Sequence, residues 1–150
     1  MNRSCLACLL EEPLGTSHEP LGEEKSKSMA NEIRSYRDLE AWRLAVRLTK
    51  IVYRVSAGFP ADERYGLTSQ IRRAAVSIAS NIAEGWGRGT TQDYIRFLRM
   101  ARGSMYEVET QLLIARELGF VDDEKFGYSE GAIDEAGRVL GGLIRSIEKK

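Results

Sequence analysis

From Ser35 onward, apolar residues recur at spacings of three and four in four long segments, and no stretch shows the period of two that a strand requires. The first segment covers residues 35–57, with Ser35 as candidate N-cap, Asp38 in the first turn and Gly58-Phe59-Pro60 as the stop. The second runs over 62–84 and ends on Gly85-Trp86-Gly87-Arg88-Gly89. The third starts at Thr90-Thr91-Gln92-Asp93, the spacing of a capping box, and continues to Leu118 before Gly119. The fourth runs from Asp122-Asp123-Glu124 toward Lys150, acidic at its start and basic at its end, as the helix dipole favours.

The third segment carries the cleanest period: Tyr94, Leu98, Ala101, Met105, Val108, Leu112 and Ala115 alternate spacings of four and three, a heptad seam. Ile133, Ala136, Leu140, Leu143 and Ile147 repeat it in the fourth, so the two are expected to pack nearly antiparallel across the short Gly119 connection. Four helices joined by short loops predict an all-α, up-and-down antiparallel four-helix bundle over residues 34–150. Met and aromatic residues at this spacing read as core.

The first segment predicts assembly. At 100° per residue Arg43, Arg47, Lys50 and Arg54 form one basic stripe. Leu39, Trp42, Val46 and Tyr53 flank it on one side and Leu44, Leu48, Ile51 and Val55 on the other, with Ala41, Ala45 and Val52 opposite. That apolar arc exceeds the stripe of somewhat more than ~100° that one bundle core needs, so part of it is expected to face another subunit. The fourth segment holds Gly127, Gly131, Gly137, Gly141 and Gly142, each costing about 1 kcal/mol against alanine inside a helix. Gly137 and Gly141 are expected to admit close packing; around Gly127 and Gly131 close packing and a broken helix are equal alternatives.

Residues 1–33 hold two of the three prolines and no sustained period, which reads as a tail, disordered or the product of an over-long start with Met29 as the true first residue. The chain has 150 residues, and its two cysteines and single histidine, Cys5, Cys8 and His18, all fall in that tail. The remainder therefore cannot build a Ser-His-Asp or Cys-His nucleophilic site or a His/Cys zinc site, and no metal or other cofactor is expected. Cys5-Leu-Ala-Cys8 lacks the second pair a metal site needs. The longest apolar runs are about five residues, as in Leu6 to Leu10, against the ~20 of a spanning helix; with no signal-peptide pattern, the expectation is a cytoplasmic protein without membrane or small-molecule partners.

Charge changes the picture more. The net charge is zero, yet residues 34–120 hold 14 basic and 9 acidic residues, and 13 of those cations are arginine. The guanidinium fork suits both carboxylate and phosphate. Arg43, Arg47, Lys50 and Arg54, with Arg72, Arg73, Arg96, Arg99 and Arg102, are thus candidates for phosphate contact; the alternative is pairing with Asp38, Glu40, Glu107 or Glu109.

The loop Gly85-Trp86-Gly87-Arg88-Gly89 lacks the Gly-Lys-Ser/Thr ending of a phosphate-binding loop and follows a helix, so it reads as a helix cap and reversal. The residues before it, 66–85 (GLTSQIRRAAVSIASNIAEG), with 36–42 (YRDLEAW), 94–98 (YIRFL) and 103–112 (GSMYEVETQL), carry a specific signature. The chain resembles the four-helix bundle proteins encoded by intervening sequences within bacterial large-subunit (23S) ribosomal RNA genes, closely over residues 35–118 and more loosely beyond. The family pattern often has proline where Ala79 stands, which implies a straighter second helix here. The resemblance implies a small left-handed bundle that assembles into a ring-like homopentamer. It also implies similarity in fold to accessory proteins of diversity-generating retroelements, which bind a reverse transcriptase and nucleic acid through basic surfaces.

Three functions compete on these grounds. A ring repeating each basic stripe would bind RNA or DNA, structured RNA above all, by many weak phosphate contacts. An oligomeric adaptor would instead recruit a protein such as a reverse transcriptase. An enzyme could use only Glu84, Asp93, Glu107 and Glu109 as a carboxylate cluster, and the region lacks the Glu-x-x-His pairs of di-iron bundles, so the expectation is no enzyme. Trp42, Asn81, Glu84, Gly85, Arg88, Gly103, Ser104, Glu107 and Gln111 are read as structural or interface residues: Asn81, Glu84 and Arg88 hold the turn after the second helix, and Ser104, Glu107 and Gln111 share a face able to bond across an interface.

Overall fold

A computed structural model describes residues 32–150. The expectations for the tail, Cys5, Cys8, His18 and Met29 lie outside those residues. Four helices follow in order: α1 (Glu40–Ser56), α2 (Leu67–Trp86), α3 (Thr91–Glu117) and α4 (Asp123–Glu148), with 3-10 turns at Tyr36–Asp38 and Ala61–Glu63. Each helix packs on its neighbours in the chain, and α4 closes the ring against α1.

Cross-helix contacts establish the antiparallel directions. Between α1 and α2, Thr49 Oγ1 donates to the Ala75 carbonyl (3.0 Å) and Arg72 Nε donates to Ser56 Oγ (2.8 Å), so one number rises as the other falls. Ser77 Oγ and Ser104 Oγ lie 2.9 Å apart across α2 and α3. Arg99 meets Glu148 and Arg116 meets Asp123 across α3 and α4. The expected up-and-down four-helix bundle is what the chain forms.

The α3 seam from Leu98 to Ala115 is buried throughout, joined by Phe97. In α4 the buried line is Phe126, Ser129, Ile133, Ala136, Leu140 and Ile144, so the heptad drifts by one position at its end and leaves Leu143 and Ile147 half-buried. Phe59 and Phe120, one from each loop, close one end of the core with ring centroids 5.9 Å apart.

Several boundaries differ from the sequence reading. Ser35 caps a 3-10 turn and not α1: its Oγ accepts from Arg37 N (3.2 Å), while the Asp38 carboxylate accepts from Ser35 N (3.0 Å). The chain then extends at Leu39 (ψ 121°), which drives that side chain into the core before α1 begins. The second helix starts five residues later than expected, because the Glu63 carboxylate folds forward to accept from Leu67 N (2.8 Å) and supplies the cap there. It also runs two residues further, so that Gly85 is helical and Gly87 is the cap. The turn's left-handed position is Gly89 (φ 79°), and Gly119 (φ 78°) reverses the chain into α4.

Two expectations from side-chain pattern are corrected by packing. The apolar arc of α1 is largely covered within the chain: Ala41, Ala45, Leu48, Ile51, Val52 and Val55 are buried and Trp42, Leu44 and Val46 half-buried, with only Tyr53 exposed. Contact on both flanks with α2 and α4 accounts for the width of the arc. Of the nine exposed large apolar side chains among the described residues, four lie on α3: Met100, Tyr106, Leu113 and Ile114. In α4 a Cβ at Gly137 would sit 3.3 Å from Met105 Sδ, the close packing expected there, whereas Gly141 faces only the Arg145 side chain of its own helix. Gly127 and Gly131 lie in unbroken helix with open space beside them, so neither alternative for them holds within the chain.

Candidate nucleic-acid interface

Arg43, Arg47, Lys50 and Arg54 line the outer face of α1, all exposed. Arg43 Nε donates to the Arg37 carbonyl (2.8 Å), with its guanidinium 3.8 Å from Asp38. Arg47 reaches Glu135 of α4 at 3.4 Å. Lys50 forms no ion pair with a described residue, and Arg54 continues the row. The Arg43 and Arg47 pairs are solvent-exposed and therefore weak, so these two cations can turn to a phosphate.

The other cations do not join that row. Arg72 is half-buried between α1 and α2: Nε donates to Ser56 Oγ (2.8 Å), Nη2 donates to the Tyr53 carbonyl (3.3 Å), and the guanidinium lies 4.6 Å from the Tyr53 ring centroid. Arg73, one residue on, faces the groove between α2 and α3. Arg96, Arg99 and Arg102 are exposed on α3, with Arg99 donating to Glu148 (2.7 Å). Because α1 and α3 occupy diagonal corners of the ring of helices, the α1 row and the α3 trio belong to separate surfaces.

The residues read as structural sort likewise. Trp42 packs edge-on against Tyr36, centroids 5.3 Å apart. Glu84 pairs with Arg88, whose guanidinium sits 4.7 Å over the Phe97 ring, so these two do hold the turn. Asn81 does not: its Nδ2 donates to Ser77 O (2.8 Å) and Oγ (2.9 Å), one turn back in α2. Ser77 in turn contacts Ser104, which with Glu107, Gln111, Gln70, Arg73 and Ala74 lines a groove of about 330 Å³. Gln111 Oε1 is buried there without a hydrogen-bond partner, and a Cβ at Gly103 would meet nothing within 4 Å. Spacing of three and four in α3 showed half of this groove; the half from α2 depends on the register between the helices.

Glu84, Glu107 and Glu109 are exposed and Asp93 is half-buried at the start of α3, and among the described residues no group of three or more metal-ligating side chains could hold an ion. No described helix is long and apolar enough to cross a membrane. Among the described residues the one strongly perturbed group is Tyr94, whose hydroxyl is buried without a partner and pushed up to about 12 by desolvation. Because the folded chain holds this proton more tightly than the unfolded chain, stability is independent of Tyr94 ionisation below about pH 10 and falls as pH rises toward 12, where the unfolded chain gives up its proton first. Tyr94→Phe removes the orphaned hydroxyl. Melting curves should show the variant about 1 kcal/mol more stable at pH 7 and less sensitive to alkali between pH 10 and 12 than the parent.

Fold and surface together define a small antiparallel four-helix bundle whose distinguishing features are two separated arginine-rich faces and a polar groove. The chain belongs to the 23S rRNA-intervening sequence protein family, whose model matches residues 37–142. A comparison with curated proteins finds no match. Among solved structures, the chain is similar to a Bacteroides thetaiotaomicron protein of unknown function from the S23 ribosomal protein family, at 20% identity and a TM-score of 0.64, over 70% of this chain and 95% of that one. That likeness shows the shared fold.

Proposed function

We propose that the protein is a non-enzymatic, homo-oligomeric bundle that binds nucleic acid, structured RNA first, through the α1 row. The observation that carries this is the exposed alignment of Arg43, Arg47, Lys50 and Arg54, four cations along about 16 Å of one helix. The family's name, which ties its members to intervening sequences in 23S rRNA, supports RNA as the ligand. Assembly is favoured by the α2–α3 side, where exposed Met100 and Ile114 continue the α3 row that lines a groove holding both a cation, Arg73, and an anion, Glu107. A second copy can satisfy such a face, and a ring of about five subunits would repeat the α1 row around its outside.

The test is light scattering joined to an RNA titration on the same sample. If one subunit neutralises four phosphates, affinity falls roughly 50- to 150-fold between 50 and 200 mM salt. Lys50→Glu with Arg54→Glu is expected to remove most binding without changing oligomer size. Binding untouched by that double substitution sinks the reading. An oligomer without RNA affinity would assign the protein to the adaptor role, with the Met100 and Ile114 side turned to a protein partner.

A further inference from the structure

The geometry points to Tyr53 as a stacking platform for an unpaired base, which makes single-stranded or looped-out nucleotides the ligand class of the α1 row. This rests on α1 being the nucleic-acid surface. Among the apolar residues of α1, Tyr53 alone is exposed, at 44%, although the helix has room to bury its neighbours Val52 and Val55 completely. Its ring is not loose. Arg72 lies over the ring, 4.6 Å from its centroid, and is itself held by Ser56 Oγ and the Tyr53 carbonyl, so the guanidinium backs one face of a residue that stays exposed.

A cation stands one helical turn away. Lys50, three residues back, is a neighbour of Tyr53 on the helix surface, is exposed and forms no ion pair with a described residue. An aromatic ring held in place, with an ammonium group as its neighbour on the helix, matches the two parts of an unpaired nucleotide: a flat base to stack and a phosphate to neutralise. Holding the ring in advance reduces the ordering cost of binding. In an A-form duplex the bases are stacked on one another and their faces are hidden, so a duplex can meet the cations but gains nothing from the ring. Stacking of this kind is tolerant of sequence, since every base offers a face.

The experiment measures affinity of the full chain, at about 50 mM salt, for a labelled oligouridylate and for a duplex RNA of equal length, using Tyr53→Leu and Tyr53→Phe. Tyr53→Leu is expected to weaken the single strand about 10-fold and leave the duplex within about two-fold, while Tyr53→Phe, which keeps the ring, restores the single-strand affinity. Helical content and melting temperature of both variants are checked first; the exposure of Tyr53 makes both foldable. Equal losses on the two RNAs, or no loss on either, overturn the platform. If those results accompany binding that the Lys50→Glu, Arg54→Glu pair abolishes, the α1 reading stands and only the platform falls; a parent chain that binds neither RNA removes both.

Discussion

Leu98→Ala is expected to lower the stability of the bundle by about 2–5 kcal/mol, a large share of the roughly 5–15 kcal/mol that holds a domain of this size together. Leu98 lies on the α3 seam and is fully buried. Truncation removes its transfer free energy and leaves a cavity in the packed core, whose walls relax only partly. At about 4 °C per kcal/mol for a chain of this length, the melting temperature should fall by roughly 8–20 °C. Leu113, on the same helix but 46% exposed, supplies the contrast: Leu113→Ala should change stability by no more than about 0.5 kcal/mol. Comparable losses at both positions would mean that the seam has been placed on the wrong face of α3.

The second large effect is expected at Gly85. A Cβ there would lie 2.7 Å from Phe97 Cβ and 3.1 Å from Tyr94 Cδ2, and neither atom is the free end of a flexible chain. Relief requires α2 and α3 to move apart where Trp86 and Tyr94 also meet edge-on, 6.1 Å between centroids. Overpacking of this kind costs about 1–3 kcal/mol, which outweighs the ~1 kcal/mol that alanine gains over glycine in a helix when the clash is at the upper end. Gly85→Ala should therefore destabilise, with a melting temperature several degrees below the parent. Gly103→Ala should do the opposite, since nothing lies within 4 Å of its Cβ and only the propensity gain remains. Thermal melts of the two variants side by side decide the point; a stabilised Gly85→Ala would show that the α2–α3 contact is looser than described.

Part of this was open to reading before any coordinates. The α3 seam was legible because every member from Leu98 to Ala115 is buried by the same local periodicity. So was the entry at Thr90, whose side chain accepts from Asp93 N; Asp122, legible only as part of an acidic start, proves to be the N-cap of α4, accepting from Lys125 N. The start of α2 was not, because Glu63 reads as ordinary helical sequence until its carboxylate is seen to cap Leu67. Nor was the fate of the candidate cations: Arg72 and Arg73 are neighbours in sequence, yet one is locked against Tyr53 while the other faces the α2–α3 groove, a difference of 100° that acquires meaning only beside particular helices.

By itself, then, the sequence determined four amphipathic helices, their short connections and the family signature, because these follow from spacings within about one helical turn. Tertiary structure decided which cations share a surface, why Gly85 must be glycine while Gly103 need not be, and that the α1 arc is covered by its own bundle. Each of those depends on the rotation and axial register of helices far apart in the chain, quantities set by the packing of whole faces and carried by no local spacing.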